Sequence, residues 1–405
     1  MRSPLLSCTN FIDKSFHSHP ENLQLNSKPQ PRVALVTNVL SHYRVACFQQ
    51  LLQVLPDRVS IFLLADKMPH RHYVLSESSH DLPVTVLNGW HWSKPPYDDL
   101  HLNNIGPLIS GGYDLIILSG WVEPTYLLLW AWGTLTRKKI LFWIESTTFD
   151  MPRTGPKEWL KRLLLARAAG CLVPGQRARQ YCAELGMTPQ RLFVAPNAIN
   201  QCFFRAQAAT LLPQRQRIRQ QLKLDSPTVL FVGRLVQRYK DFVTLIRAIA
   251  RLEQKGVELN LIIAGEGEDA GLLRRTIDKE NCRCVRIVGN LNHDQLCRYY
   301  AASDLLALPS RSETWGFVLN EGMEFGLPVI VSEAVGAGPD LVHENRNGFV
   351  VPVGDVETLG EKIALLLEDQ PLRQRMGRAS REIVAQFSPE EWAAGVQSAI
   401  QAVLR

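Results

Sequence analysis

Residues 304–354 constrain the fold more than any other part of the chain, because apolar runs of strand length alternate there with a helical pattern. The run Leu305–Leu308 has the length of a buried strand and stops at a proline. Residues 316–325 follow with helical spacing, and a glycine and a proline mark their end. A second apolar run starts at Val329. Strand, loop, helix and strand in this order predict a parallel sheet covered by helices.

Glu321 interrupts the apolar face of that helix, since it lies one turn from Phe317 on the side that should be buried. An unpaired carboxylate there would be costly, so a partner must meet it. Glu313 lies in the preceding loop, beside the free backbone N–H groups at Gly316 and Phe317, where a helix start favours an anion. Carboxylates accept hydrogen bonds from sugar hydroxyls, and a helix start accepts phosphate. These residues predict a nucleotide-sugar site in which the diol of the nucleotide meets Glu321.

Glu313, seven residues and then Glu321 resemble the E-x7-E signature of retaining glycosyltransferases with two Rossmann-like domains, family 4 of that class. The resemblance is dense from Val229 to Gly377 and includes the G-L-P turn after the helix. It implies that the second domain binds the nucleotide-sugar, with Glu321 on the ribose hydroxyls and Glu313 near the transferring carbon of the sugar. The further donor contacts implied at the helix start are Gly316, Phe317 and Val318.

The apolar run Thr228–Val232 is followed by two cations, Arg234 and Lys240, that suit a diphosphate at the carboxyl end of a strand. Gly233 between them and the strand allows a ligand to approach the backbone closely. These residues resemble the family's G-R-L…K-G element, with Asp241 in place of the usual glycine. We predict that both cations stabilise the departing diphosphate; surface ion pairs are the alternative. Two further donor contacts implied by the resemblance are Glu266, in a G-E-G turn, and Val288, near a strand end.

The first domain opens with a buried strand, residues 32–37, and a helix, but the loop between them lacks the glycine-rich dinucleotide fingerprint. A dehydrogenase is therefore disfavoured. Residues 41–44, Ser-His-Tyr-Arg, stand where the family often has glycines. Arg44 is an acceptor-side candidate, with a surface arginine at a helix start as the alternative. Glu123 and Glu145 follow two later strands, where open α/β sheets bind ligands, and are the other acceptor-side candidates; a structural carboxylate is the alternative for each.

At 405 residues the chain is long enough for two domains with filled cores. Strands alternate with helices twice over, which predicts an α/β fold of the GT-B type, with two Rossmann-like domains and parallel sheets facing an interdomain cleft. The predicted segments are a disordered tail over 1–30, an acceptor-binding domain over 31–200, a linker over 201–225, a nucleotide-sugar-binding domain over 226–386, and a C-terminal helix over 387–405 that returns to the first domain.

Composition gives no argument for nucleic acid, because the net charge is only +6 with 21% charged and 46% hydrophobic residues. The eight cysteines are scattered. Cys282 and Cys284 are separated by one residue and lack a histidine cluster, so we predict neither a zinc site nor a disulfide framework, and a reducing cytosol. His70 and His72 flank a cation in a loop and are predicted to be solvated rather than metal-bound.

Residues 157–169 form a basic amphipathic segment, in which Lys157 and Arg162 alternate with Trp159 and leucines. Such a pattern lies on an anionic membrane surface in some proteins and packs as a solvated helix on its own domain in others. We predict a cytoplasmic protein, with peripheral association at the inner face of the membrane as a hypothesis. The most apolar window, residues 116–133, is interrupted by a glutamate and a proline and is interpreted as a strand followed by a buried helix.

The sequence as a whole predicts a retaining, metal-independent glycosyltransferase that moves a hexosyl group from an NDP-sugar to a saccharide, lipid-linked or small-molecule acceptor. The resemblance implies attack on the same face without an obligatory protein nucleophile, and no cofactor besides the donor. A nucleotide-sugar epimerase or hydrolase of the same fold remains open, and would turn over donor without an acceptor. A non-catalytic sugar-binding protein also remains open, but would not need the two cations and the two glutamates together.

Overall fold

The computed structural model describes residues 30–67, 82–94, 98–121, 123–149 and 155–405. The predicted tail lies outside these ranges except for Gln30, and so does the loop with His70 and His72.

The first domain contains a parallel sheet and an antiparallel hairpin. Its strands are β1 Val33–Thr37, β2 Val59–Leu63, β3 Val84–Val86, β4 Gly89–Lys94, β5 Asp98–Asn103, β6 Leu115–Leu118, β7 Lys139–Trp143, β8 Gly170–Val173 and β9 Leu192–Val194. Its helices are α1 His42–Val54, α2 Gly106–Ser110, α3 Pro124–Leu135, α4 Pro156–Arg167 and α5 Gln176–Glu184. The parallel sheet has the order β3-β2-β1-β6-β7-β8-β9, and β4 pairs with β5. The central strands β1 and β6 are buried throughout, as a sheet covered on both faces requires.

The second domain repeats the alternation around a second parallel sheet. Its strands are β10 Thr228–Val232, β11 Asn260–Ala264, β12 Val285–Gly289, β13 Leu305–Leu308, β14 Val329–Ser332 and β15 Gly348–Val351. The helices from residue 201 onwards are α6 Gln201–Leu211, α7 Arg215–Gln221, α8 Gln237–Lys240, α9 Phe242–Gln254, α10 Ala270–Lys279, α11 His293–Ala302, α12 Phe317–Glu324, α13 Gly338–Leu341, α14 Val356–Glu368, α15 Gln370–Val384 and α16 Pro389–Leu404. The strand order is β12-β11-β10-β13-β14-β15. The prediction of two Rossmann-like domains with parallel sheets is confirmed.

The segment predicted as a linker, residues 201–225, is largely helical and packs on the second domain. Phe204 of α6 and Ile218 of α7 are buried in the core of that domain. Arg215 and Arg219 both pair with Asp304 at the start of β13, at 2.9 and 3.1 Å. The polar surface of these two helices gives the segment its linker-like sequence.

The last helix, α16, belongs to the core of the first domain. Trp392 is fully buried there, with its ring centroid 5.8 Å from that of Phe48 in α1 and 5.3 Å from that of Trp143 in β7. The chain therefore passes from the first domain to the second and back.

The hairpin β4–β5 carries aromatic residues into solvent. Trp90 is 76% exposed and Trp92 is 50% exposed. The Trp90 side chain therefore lies on the surface of the first domain and not in its core.

Candidate functional site

The paired charges of Lys240 and Glu313 lie where β10 and β13 end. Lys240 closes the short helix α8 after β10, and its ammonium donates to the Glu313 carboxylate. The loop after β13 is fixed beside α8, because the backbone N–H groups of Arg311 and Ser312 donate to the Tyr239 carbonyl at 2.7 and 3.2 Å. Neighbouring parallel strands thus bring together a cation and a carboxylate that are far apart in the sequence.

The other donor-side candidates of the second domain line the same edge of the sheet. Arg234 is exposed just beyond β10, Glu266 is exposed just beyond β11, and Val288 is near the end of β12. The Leu235 N–H donates to the Glu266 carbonyl at 2.9 Å, which holds the first two strand ends together. A Cβ on Gly233 would lie 3.3 Å from the Lys240 Cε, so glycine leaves room for the lysine stem.

Asp241 follows Lys240 at the position where the family usually has glycine, and its contacts show how an aspartate fits there. Its backbone adopts a left-handed φ of 47°, a conformation that glycine adopts without strain. The buried carboxylate accepts from Gln237 Nε2 at 2.6 Å and Thr244 Oγ1 at 2.9 Å, and pairs with Arg311 at 3.0 Å. These bonds offset the strained backbone and fix the turn that carries Lys240.

Glu321 is buried, with 1% exposure, and two tyrosine hydroxyls satisfy its carboxylate. Tyr43 of the first domain donates to Oε1 at 2.9 Å, and Tyr300 of α11 donates to Oε2 at 2.7 Å. Burial raises the pKa of Glu321, while the charge of His293 and both hydroxyls act against this rise. The protein itself therefore supplies two donors to the buried carboxylate, and the contact of Glu321 with a bound nucleotide stays a prediction.

The first turn of α1 reaches across to the second domain at the start of α12. The Tyr43 ring stacks on Phe317, with centroids 4.1 Å apart and an interplanar angle of 11°. The His42 ring lies 4.7 Å from that of His293, and burial lowers the pKa of His42 to about 3. Gly316, which precedes Phe317, has a positive φ of 101°. Tyr43, from the segment that stands where the family often has glycines, thus covers Phe317, which is predicted to contact the donor.

Arg44 is buried, with 8% exposure, so the alternative of a surface arginine is wrong. Its Nη2 donates to the Glu145 carboxylate and, at 2.9 Å, to Asn197 Oδ1. The guanidinium lies 4.2 Å from the centre of the Trp143 ring. Glu145 keeps 34% of its side chain exposed, so this pair joins a buried cation to an accessible carboxylate at the end of β7.

Glu123 lies apart from this pair in a network of its own. Its carboxylate accepts from Asn38 Nδ2 at 3.1 Å and from the His101 backbone N–H at 2.8 Å, and is 5% exposed. Its Oε2 atom also lies 3.2 Å from Nδ1 of the His101 ring. These contacts tie β5 to the loop after β1, which is the structural alternative foreseen for this residue.

Sequence reasoning missed Tyr300 as a residue of the site. It lies on the buried face of α11 with Leu296 and Cys297, where a tyrosine hydroxyl needs a hydrogen-bond partner. That requirement, together with the same requirement for Glu321, was the available signal. Tyr43, in the Ser-His-Tyr-Arg segment, and Asn197 carried no prediction of their own.

A family model matches part of this chain. Residues 214–383 match the sequence model of the family described as Glycosyl transferases group 1. This match covers most of the second domain. It includes both cations and both glutamates of the site, and therefore all of the E-x7-E segment.

Two curated relatives that are similar to this chain are named as sugar transferases. The α-D-kanosaminyltransferase of Streptomyces kanamyceticus is 27% identical over 59% of this chain and 62% of its own length. A D-inositol 3-phosphate glycosyltransferase of Corynebacterium aurimucosum is 29% identical over 62% and 60%. The chain thus spans about 60% of the length of these curated relatives.

The fold similarity extends over both domains. The crystal structure of HepE from Anabaena in complex with UDP and glucose superposes with a TM-score of 0.68, covering 92% of this chain and 100% of that one. The sequence identity is 19%, so this similarity concerns the fold.

Proposed function

We propose that the protein is a retaining glycosyltransferase that uses an NDP-sugar. The observation that carries the proposal is the Lys240–Glu313 pair at the strand ends. The buried Glu321 lies on α12, the helix that follows the loop with Glu313. The names of the relatives, and the UDP and glucose in the HepE structure, support a nucleotide-sugar as the donor. The hexosyl group goes to a saccharide, lipid-linked or small-molecule acceptor.

In this proposal the two cations act on the leaving group. Negative charge accumulates on the departing diphosphate as the glycosidic bond breaks, and fixed cations stabilise that charge most in the transition state. Glu313 holds the Lys240 ammonium in place before the donor arrives and then contacts the donor sugar. Arg44 and Glu145 serve the acceptor on the first domain. The reaction requires neither a metal nor a protein nucleophile.

Binding of the donor requires Tyr43 to leave Glu321. The Tyr43 hydroxyl takes one carboxylate oxygen, and its ring covers Phe317 at the start of α12. A ribose diol that bonds to Glu321 needs the same oxygen. The closed arrangement of the two domains is thus in competition with the donor.

We expect Tyr43→Phe to bind the nucleotide about tenfold more tightly, because a hydrogen bond to a charged group contributes about 1.5–3 kcal/mol and its loss removes a competitor. The ring, and hence the stacking on Phe317, is retained. Isothermal calorimetry with UDP, GDP and ADP measures the change. Tyr300→Phe is the matched control, since Tyr300 donates to the same carboxylate from within the second domain and should not tighten binding. Weaker binding by Tyr43→Phe would show that Tyr43 itself holds the nucleotide.

The reaction type is tested by product analysis. The purified protein is incubated with a panel of nucleotide-sugars selected by thermal stabilisation, with and without acceptors, since a bound ligand raises stability by mass action. Transfer that needs an acceptor and keeps the anomeric configuration supports the proposal. Release of free sugar or an epimer in the absence of any acceptor would support the hydrolase or epimerase instead.

We propose further that α4 holds the protein at an anionic membrane surface. Trp159 is 65% exposed, and Leu160 and Leu163 are 37% and 38% exposed, beside the exposed Lys157 and Arg162. Leu164 and Leu165 are the leucines of α4 that pack on the first domain, so the exposed apolar side chains of α4 take no part in its core. Among the described residues, none of the helices has the length and apolar character to cross a bilayer.

We expect Trp159→Ala with Leu163→Ala to lower binding to phosphatidylserine vesicles at least tenfold, because each large apolar side chain contributes about 1.5–3 kcal/mol when buried. Sedimentation at low and high salt measures the apolar and ionic parts. Leu135→Ala, at the 84% exposed end of α3, is the control. The idea is abandoned if the unmodified protein stays in the supernatant at low salt.

A further inference from the structure

A cluster of metal-ligating side chains lies on the second domain, at the opposite end of β12 from Val288. Cys282 and Cys284 precede β12, and Glu253 is in the last turn of α9. The ligand atoms of these three residues all lie within 4.8 Å of one another. The fold thus adds a carboxylate to a cysteine pair that the sequence shows as isolated.

The separation of the two sulfur atoms is the one that a tetrahedral metal requires. The Sγ atoms are 3.8 Å apart. Two zinc–thiolate bonds of about 2.3 Å at the tetrahedral angle place their sulfur atoms about 3.8 Å apart. The one-residue spacing, which argued against zinc in the sequence, therefore gives a suitable distance in the folded chain.

The backbone holds all three groups in position. Both oxygens of Glu253 accept from the N–H of Arg283, the residue between the cysteines, at 2.9 and 3.2 Å. The Cys282 N–H donates to the Ile277 carbonyl at 3.1 Å, and the Cys284 carbonyl accepts from the β11 residue Leu261 at 2.9 Å. A carboxylate oriented by a backbone donor is the kind of support that metal ligands receive from their surroundings.

The donor set suits a thiophilic divalent cation. Cysteine sulfur is the ligand type that zinc prefers, and a carboxylate oxygen is also a common zinc ligand.

We propose that Glu253, Cys282 and Cys284 bind a thiophilic divalent cation, zinc being the expected one, with water at the fourth position. The cation forms two metal–sulfur bonds and one metal–oxygen bond, and the two thiol protons pass to solvent. The complex fastens the end of α9 to the start of β12. This site is independent of the proposed transfer reaction, because it lies at the other end of the strand.

Cobalt titration of the reduced, metal-stripped protein tests the site. We expect about one equivalent of Co²⁺ to bind with sulfur-to-cobalt charge-transfer absorption and to release about two protons. Cys282→Ser with Cys284→Ser should abolish the absorption, and Glu253→Gln should weaken binding at least about tenfold. Cys202→Ser, an exposed cysteine elsewhere, is the control and should leave the titration unchanged.

Two results would overturn the proposal: no charge-transfer band in the unmodified protein, or a band that survives in the double variant. If the double variant does not fold, alkylation of the unmodified protein decides the question. Zinc should then protect Cys282 and Cys284, mapped by mass spectrometry, while Cys202 reacts at its original rate. Equal alkylation with and without zinc excludes the site.

Discussion

Lys240→Ala should lower kcat by about 10²–10³-fold, the loss seen when one preorganised group that stabilises transition-state charge is removed. The expected cause is the loss of the ammonium beside the departing diphosphate. Arg234→Ala should give a loss of the same order, because it removes the second cation from the same strand end. Steady-state kinetics with the donor identified by the panel measures both, and Lys240→Arg should recover part of the rate.

A loss of folding is the competing explanation, since Lys240 is paired with Glu313. Circular dichroism and thermal unfolding of each variant separate the two explanations. Arg247→Ala is the matched control, because it breaks a surface ion pair of 3.2 Å with Glu280 on the same domain and should leave kcat unchanged. Turnover close to that of the unmodified protein in both Lys240→Ala and Arg234→Ala would remove the assigned role of the cations.

Glu321→Gln should weaken nucleotide binding about 100-fold, because two hydrogen bonds to a carboxylate contribute about 1.5–3 kcal/mol each and an amide replaces only part of them. The substitution preserves the shape of the buried side chain and still offers an acceptor to Tyr300. Calorimetry with UDP, GDP and ADP gives the affinity of each variant.

Glu324→Gln is the control for Glu321→Gln. Glu324 is also buried, at 5% exposure, lies on the same helix and is paired with Arg205 at 3.2 Å. Its replacement should affect thermal stability and leave nucleotide affinity within about twofold, since it takes no part in the candidate site. Equal losses of affinity in the two variants would mean that α12 itself is disturbed, and unchanged affinity in Glu321→Gln would contradict the ribose contact.

The architecture of the second domain could be predicted from the sequence because each element carries its own signal. The strands around α12 have apolar runs next to proline, and the turn after α12 contains Gly326, which has a positive φ of 73°. The proximity of Lys240 and Glu313 also followed from general rules, since carboxyl ends of neighbouring parallel strands meet at one edge.

The contact between Tyr43 and Glu321 could not be predicted in the same way. The two residues are 278 positions apart and belong to different domains, so their meeting depends on how the domains pack. The packing of residues 201–225 on the second domain could not be predicted for a related reason. Phe204 and Ile218 are buried only in the packed structure, and their neighbours in the sequence are polar. The buried arginine, Arg44, shows the same limit, since its partners lie on two later elements.

The position of α16 has a consequence for the order of synthesis. Ribosomes release a chain from its N-terminus, and domains commonly fold as they emerge. Here Phe48 and Trp143 of the first domain pack against Trp392, which is translated only after the whole second domain. Until then these aromatic side chains lack a packing partner, and exposed apolar surface of this kind favours aggregation.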